Sequence, residues 1–106
     1  MRDIVWSRTA TRDLDDIVSW SLANYSTQHA NSFVDTVDAS LLQIADHPDS
    51  GRVIPELARQ NITKYREIVL APWRLWYSTD RDLIIVHAVI DGRRNVEDLL
   101  LRRNLR

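Results

Sequence analysis

The sequence predicts an α+β domain: an N-terminal strand, an α-helical hairpin, a three-stranded antiparallel meander, then a short C-terminal helix. Three observations carry that expectation. β-Branched and aromatic residues dominate the runs 65–70, 73–78 and 83–90, the composition of half-buried strands. The breaks between them are short, Ala71-Pro72 and then residues 79–82, and short connections join antiparallel neighbours. Upstream, two segments repeat apolar residues at helical rather than strand spacing. Helices of that kind need an apolar partner, and packing on one face of the sheet supplies it.

Taken in order, residues 3–6 are β-favouring and form a first strand that joins the sheet. Ser7 or Thr9 then offers a hydroxyl to cap a helix. Ala10, Leu14, Ile17, Val18 and Tyr25 fall near one helical stripe with Trp20 on its flank, and Arg12, Asp13, Asp15 and Asp16 lie mostly off it. Residues 24–27 break the pattern. Ala30, Phe33, Val34, Val37, Leu41 and Ile44 give the cleanest helical period of the chain. His47-Pro48-Asp49-Ser50-Gly51 ends it, because proline cannot continue a helix and glycine permits the turn. Residues 52–63 are the least regular, with Pro55-Glu56-Leu57 leading into a short helical piece. Within the meander, Pro72 sits between strands, where its missing N–H costs no ladder bond. The tail starts with a cap at Asn95. Glu97 and Asp98 in its first turn and Arg102 and Arg103 in its last match a helix dipole, and Leu99, Leu100 and Leu101 supply apolar grip.

A chain of 106 residues, 44% apolar with two glycines, makes one ordered domain spanning 1–106. The absence of cysteine excludes a disulfide framework and a thiolate metal site, and fits a reducing cytosol. The first residues lack a signal-type apolar stretch and no run approaches the length of a membrane span, so a soluble, cytoplasmic protein is expected. Charge is unevenly spread. Residues 7–47 carry two arginines against six aspartates, and residues 52–106 carry eleven basic residues against seven acidic ones. Either one face meets an anionic or acidic partner, or the two halves neutralise each other across the fold.

Arg66, Arg74, Arg93 and Arg94 fall within or just after the meander. Arg66 and Arg74, on adjacent strands, are expected to share a face, paired across strands or turned toward an anion. Arg93 and Arg94 cluster at a strand end. His87 alternates with Leu83, Ile85 and Val89, and reads as a half-buried, hydrogen-bonded histidine rather than a base. His29 and His47 have no carboxylate cluster at metal spacing, so neither metal nor cofactor is expected. Asp13, Asp15 and Asp16 read as solvated carboxylates near a helix start. Trp73, beside Pro72, is the better of two candidates for stacking on a partner. Trp76 and Tyr77 point to opposite faces, so one of them is core. An exposed aromatic surface and an open sheet edge would suit a docking partner.

The ordered series Trp6-Ser7-x-x-Ala10-x-x-Asp13-Leu14-x-x-Ile17, His47-Pro48-x-x-Gly51-Arg52, Arg66-Glu67-Ile68, Arg74-Leu75-x-Tyr77 and Gly92-Arg93-Arg94 resembles the RelE/ParE toxin superfamily. The resemblance spans nearly the whole chain. It implies the toxin of a type II toxin–antitoxin pair, with a helical hairpin on an antiparallel sheet and a cognate antitoxin as partner. The RelE-like branch cleaves messenger RNA on the ribosome. There Arg66, Arg74 and Arg93 would occupy the cationic positions that stabilise a charged phosphate, yet no Tyr or His follows Arg94 to move protons. The ParE-like branch binds and poisons DNA gyrase, and the Arg-Glu-Ile element and closing Arg-Arg match it better. The target-binding residues would then be Arg93, Arg94, Arg74, Arg66 and Trp73. One departure stands out. Asp91 replaces a histidine common in that pattern, and its carboxylate beside Arg93 implies a salt bridge and an attenuated toxin. Either a homodimer or a toxin–antitoxin hetero-oligomer is compatible with the sequence.

Overall fold

The structure, a computed structural model, describes residues 2–94 and 96–103; the cap expected at Asn95 lies outside them. The elements run β1 (Asp3–Trp6), α1 (Arg8–Asn24), α2 (Thr27–Asp46), β2 (Arg52–Val53), α3 (Pro55–Ala58), β3 (Tyr65–Leu70), β4 (Trp73–Asp80), β5 (Leu83–Asp91) and α4 (Val96–Arg103). Ser7, not Thr9, caps α1, its hydroxyl accepting from the Ala10 N–H at 3.0 Å. Ser26 does the same for α2 through the His29 N–H. Each serine satisfies a donor that the first helical turn leaves without an intrahelical partner. Pro55 opens α3, where its fixed φ suits the first helical position.

The expected α+β architecture holds, and the sheet extends the meander on both sides. Its order is β1-β5-β4-β3-β2. β3, β4 and β5 are antiparallel neighbours, β1 adds in parallel to the first half of β5, and β2 pairs antiparallel with the start of β3. The parallel addition follows from chain direction: the intervening hairpin crosses one sheet face and returns.

The hairpin face holds the first core, where Ala10 and Ile17 of α1 and Val37, Leu41 and Ile44 of α2 meet Leu75, Tyr77, Ile84, Val86 and Val89. The opposite face is covered too. There α3 and α4 bring Leu57, Val96, Leu99 and Leu100 against Tyr65, Trp76, Ala88 and Ile90. That second layer corrects the expectation that only one of Trp76 and Tyr77 is core: both are 0% exposed, on opposite faces. Burying a large side chain contributes roughly 1.5–3 kcal/mol, so α3 and α4 add a second source of stability to the sheet.

A bulge between Trp76 and Tyr77 shifts the β4–β5 register. It breaks the strict alternation expected along β5. Val89 turns to the hairpin core, whereas His87 turns the other way, against Tyr65 at 5.1 Å between ring centroids. His87 is half-buried and hydrogen-bonded, its Nε2 lying 2.6 Å from the Ser78 hydroxyl.

Candidate functional site

Among the four candidate arginines, register separates what the sequence suggested would be together. On the β3–β4 ladder Arg66 stands opposite Tyr77, and Arg74 opposite Val69. Cross-strand partners share a face, so Arg66 lies with Tyr77 on the hairpin side and Arg74 with Trp76 on the other. The expectation that Arg66 and Arg74 share a face is therefore corrected.

Arg66 is tied to the loop after α2. Its Nη1 donates to the Gly51 carbonyl at 2.8 Å, and its guanidinium lies 3.7 Å from the Asp49 carboxylate. The same loop is anchored by the buried Tyr77, whose hydroxyl donates to the Pro48 carbonyl at 2.7 Å and accepts from the Gly51 N–H at 3.0 Å. A Cβ at Gly51 would stand 2.5 Å from that hydroxyl and 2.8 Å from the Glu67 carbonyl, so only glycine fits. Burial pushes the Tyr77 phenol up. The His-Pro-x-x-Gly-Arg motif is thus a packing device.

Arg74 is 8% exposed and its charge is spent inside the fold. Its Nε donates to Glu67 at 2.6 Å, and Nη1 and Nη2 form a fork onto Glu56 at 2.8 and 2.9 Å. Glu67, 1% exposed, also accepts from Arg52 at 2.6 Å and from the Trp76 indole N–H at 3.0 Å. Such a network suits a buried carboxylate, which must be paired to remain charged. Hydrogen bonding to Glu56 raises the Arg74 pKa. The bond from Arg74 holds the Glu56 carboxyl below its ordinary value. Arg-Glu-Ile on β3 fastens α3 to the sheet through Arg74, which leaves the arginine no free face for a target.

What Arg74 does support is the turn after β5. Gly92 rests on its aliphatic stem and donates to the Pro72 carbonyl at 2.8 Å. From that seat the chain projects Arg93, whose side chain is 73% exposed. Asp91 accepts from Arg93 Nε at 3.0 Å, Nη2 at 2.8 Å and the backbone N–H at 2.9 Å. These bonds, led by the side-chain contact, bring the Asp91 carboxyl down to about 2.

Trp73 pairs with Asp91 across the ladder, so the basic turn adjoins an aromatic wall. Trp73 meets Trp20 and Phe33, each at 6.2 Å; Trp20 meets Tyr25 at 5.3 Å, and Tyr25 stacks on His29 at 4.5 Å. Trp20 and Tyr25 are 45% and 63% exposed. Trp20, Trp73, Arg94, Leu99 and Arg103 line a recess of about 300 Å³, and His29, Phe33, Pro72 and Trp73 line a second of about 380 Å³. Arg93, Arg94 and Trp73 are therefore brought together. Arg66 is not, because Tyr77, its ladder partner, is four residues along β4 from Trp73, roughly 13 Å at strand rise.

Sequence reasoning missed two features of this end. Tyr25 falls with the core stripe by spacing, yet it caps α1 and projects outward. The sequence makes Asp13 a solvated carboxylate near the helix start, and the structure does not. Asp13 lies in the second turn of α1, accepting from the Val89 N–H at 3.0 Å and pairing with Arg103 of α4. β1 covers only the first half of β5, and Asp13 satisfies a backbone donor beyond it.

These features define a small α+β domain with a hairpin on one sheet face and a basic, aromatic end. A solved structure described as "Chromosomal ParDE TA system from P. aeruginosa" shares the fold, with a TM-score of 0.68 over 86% of this chain and 96% of its own, at 17% identity. No curated protein matches the chain. The model of the family described as "ParE toxin of type II toxin-antitoxin system, parDE" matches residues 4–96. The chain belongs to that family of toxins. Among the described residues no helix is long and apolar enough to cross a membrane.

Proposed function

We propose that this ParE-family toxin acts by binding rather than by catalysis, inhibiting DNA gyrase until a cognate antitoxin neutralises it. The observation that carries the reading is the exposed Arg93-Arg94 turn, seated on Arg74 and flanked by Trp73, Trp20 and Tyr25. Guanidinium groups beside aromatic faces are the chemistry of protein hot spots and of anionic surfaces. Arg93, Arg94 and Trp73 make the contact, and Arg74 acts through them as a positioning residue.

The nuclease reading needs Arg66, Arg74 and Arg93 around one phosphate, with a group to move protons. Arg74 is engaged by Glu56 and Glu67, and Arg66 is tied to the loop after α2. His87, the histidine on the sheet, is half-buried against Tyr65, and burial lowers its pKa. These observations favour binding. One observation favours a weakened toxin: Asp91 partly neutralises Arg93. Purified gyrase supercoiling DNA in the presence of this chain tests the proposal. Inhibition should be lost in Arg93→Ala and Arg94→Ala variants that keep the native circular dichroism.

A further inference from the structure

The two edges of the sheet are treated differently. At β2 the edge is two residues long, begins with Arg52 and runs toward Pro55. Short length, charge and a nearby proline all blunt an edge against pairing. β1, with sequence DIVW, has no proline, its one charged residue is Asp3 at its start, and no register shift interrupts its pairing with β5. Around it lie exposed apolar side chains, Val5 at 45%, Leu42 at 52% and Leu83 at 36%.

The hydrogen bonds from the Asp3 N–H to Asp82 and from the Ser7 N–H to Val86 turn the odd-numbered residues toward β5. Strand alternation therefore directs the N–H and C=O of Ile4 and Trp6 to the outer side.

We propose that this edge pairs with a second copy of the chain, antiparallel across a two-fold axis at Val5, so that one sheet runs through both molecules. Of the two-fold registers, the one centred on Val5 uses both outward residues of each strand. Ile4 exchanges two backbone hydrogen bonds with Trp6 of the second copy, and Trp6 does so with its Ile4. The same register sets the Trp6 and Ile4 side chains against each other across the seam. Both point to the hairpin side, where Ile4, Trp6, Leu41 and Leu42, together with Asp38, line a recess of about 400 Å³. An aromatic side chain beside a β-branched one is a favourable cross-strand pair.

A two-fold interface requires one patch to complement itself, and here Ile4 and Trp6 both help line the recess and meet the recess of the second copy. The edge lies along the first half of β5, whereas Arg93 follows the last residue of that strand. Pairing leaves the basic end open. An extended segment of another protein is the competing occupant, and it needs no symmetry.

The chain has no cysteine, so one introduced thiol reports the contact. In the Val5-centred register the two Val5 Cα atoms form a non-hydrogen-bonded pair about 4.5 Å apart, within the span of a disulfide. Val5→Cys, purified free of any partner, is expected to oxidise to a covalent dimer. Val69→Cys, exposed on β3 on the opposite side of the sheet from β1, is expected to remain monomeric at the same concentration. By sedimentation the wild-type chain should show twice the monomer mass, and Val5→Lys should return it to monomer with an unchanged circular dichroism spectrum. A wild-type monomer at its highest soluble concentration, with Val5→Cys cross-linking no faster than Val69→Cys, overturns the proposal. A chain that gains mass at this edge only on adding a second protein overturns it as well, and assigns the edge to that protein.

Discussion

Arg74 and Gly92 are in direct contact: a methyl group at position 92 would stand 2.9 Å from the Arg74 Cδ and 3.0 Å from its Cγ. Those carbons cannot swing aside, because Glu67 and Glu56 hold the guanidinium at three donors. The Pro72 carbonyl, 3.2 Å from the same position, closes the other side. A buried arginine thereby fixes where two exposed ones emerge.

Gly92→Ala should consequently shift the turn and cost roughly 1–3 kcal/mol, the range for overpacking a tight site. Chemical denaturation measures the loss. Gyrase inhibition should fall with it even where the variant remains folded, because Arg93 and Arg94 move with the turn. Unchanged stability and potency would mean that the stem of Arg74 yields.

Glu67→Ala removes the acceptor shared by Arg52, Arg74 and the Trp76 indole. Truncating one member of a buried ion pair costs about 3–5 kcal/mol. The lower end is expected, because Arg74 keeps Glu56. Urea midpoints of wild type and variant at neutral pH test this, and a difference below about 1 kcal/mol would place Glu67 among surface ion pairs.

Acidification should weaken the fold in two stages. The His87 pKa is lowered by burial from an ordinary 6.5. Unfolding therefore takes up a proton there once the pH falls below that ordinary value, and stability declines with it. Asp91, down to about 2 from 3.8, and Glu56, lowered from 4.5, act in the same direction. Their contributions are present above the unfolded values and are lost as pH falls through the folded ones. Thermal midpoints measured from neutral pH down to about 2 should decline through both windows. His87→Gln should flatten the upper stage and Asp91→Asn should reduce the lower.

Asp91→Asn tests the restraint on Arg93 directly. The three bonds from Arg93 to this carboxylate weaken when its charge is removed, and the exposed guanidinium becomes available to an anionic surface. Gyrase inhibition should strengthen and become more sensitive to salt. Weaker inhibition would mean that Asp91 orients Arg93 productively.

Much of this fold was legible in the sequence because its signals are local. The helical period from Ala30 to Ile44, the hydroxyl ahead of α1 and the β-rich runs of the meander needed no long-range information. β2 was not legible, since two residues carry no period. The coverage of both sheet faces was hidden for a similar reason: α3 is four residues long, and the three leucines of α4 gave no sign of which face they meet. Leu99 and Leu100 are buried, and Leu101 is 81% exposed. The position of Arg93 and Arg94 at a strand end, and of Trp73 beside a strand connection, was legible from their neighbours Gly92 and Pro72. The fate of Arg74 was not, because its partners Glu56 and Glu67 are brought to it by tertiary packing. Asp13 shows the same limit, since its bonds to Val89 and Arg103 cross 76 and 90 positions of sequence.

Gyrase binding is put to the test by one paired assay: purified DNA gyrase supercoiling plasmid, and ribosomes programmed with messenger RNA, each given this chain free of any partner. A gyrase-binding toxin should inhibit supercoiling or trap cleavage complexes while leaving messenger RNA intact, and should lose the effect in Arg93→Ala. Cut messenger RNA with unaffected gyrase would contradict that reading, and would make the arginines of the sheet part of a nuclease.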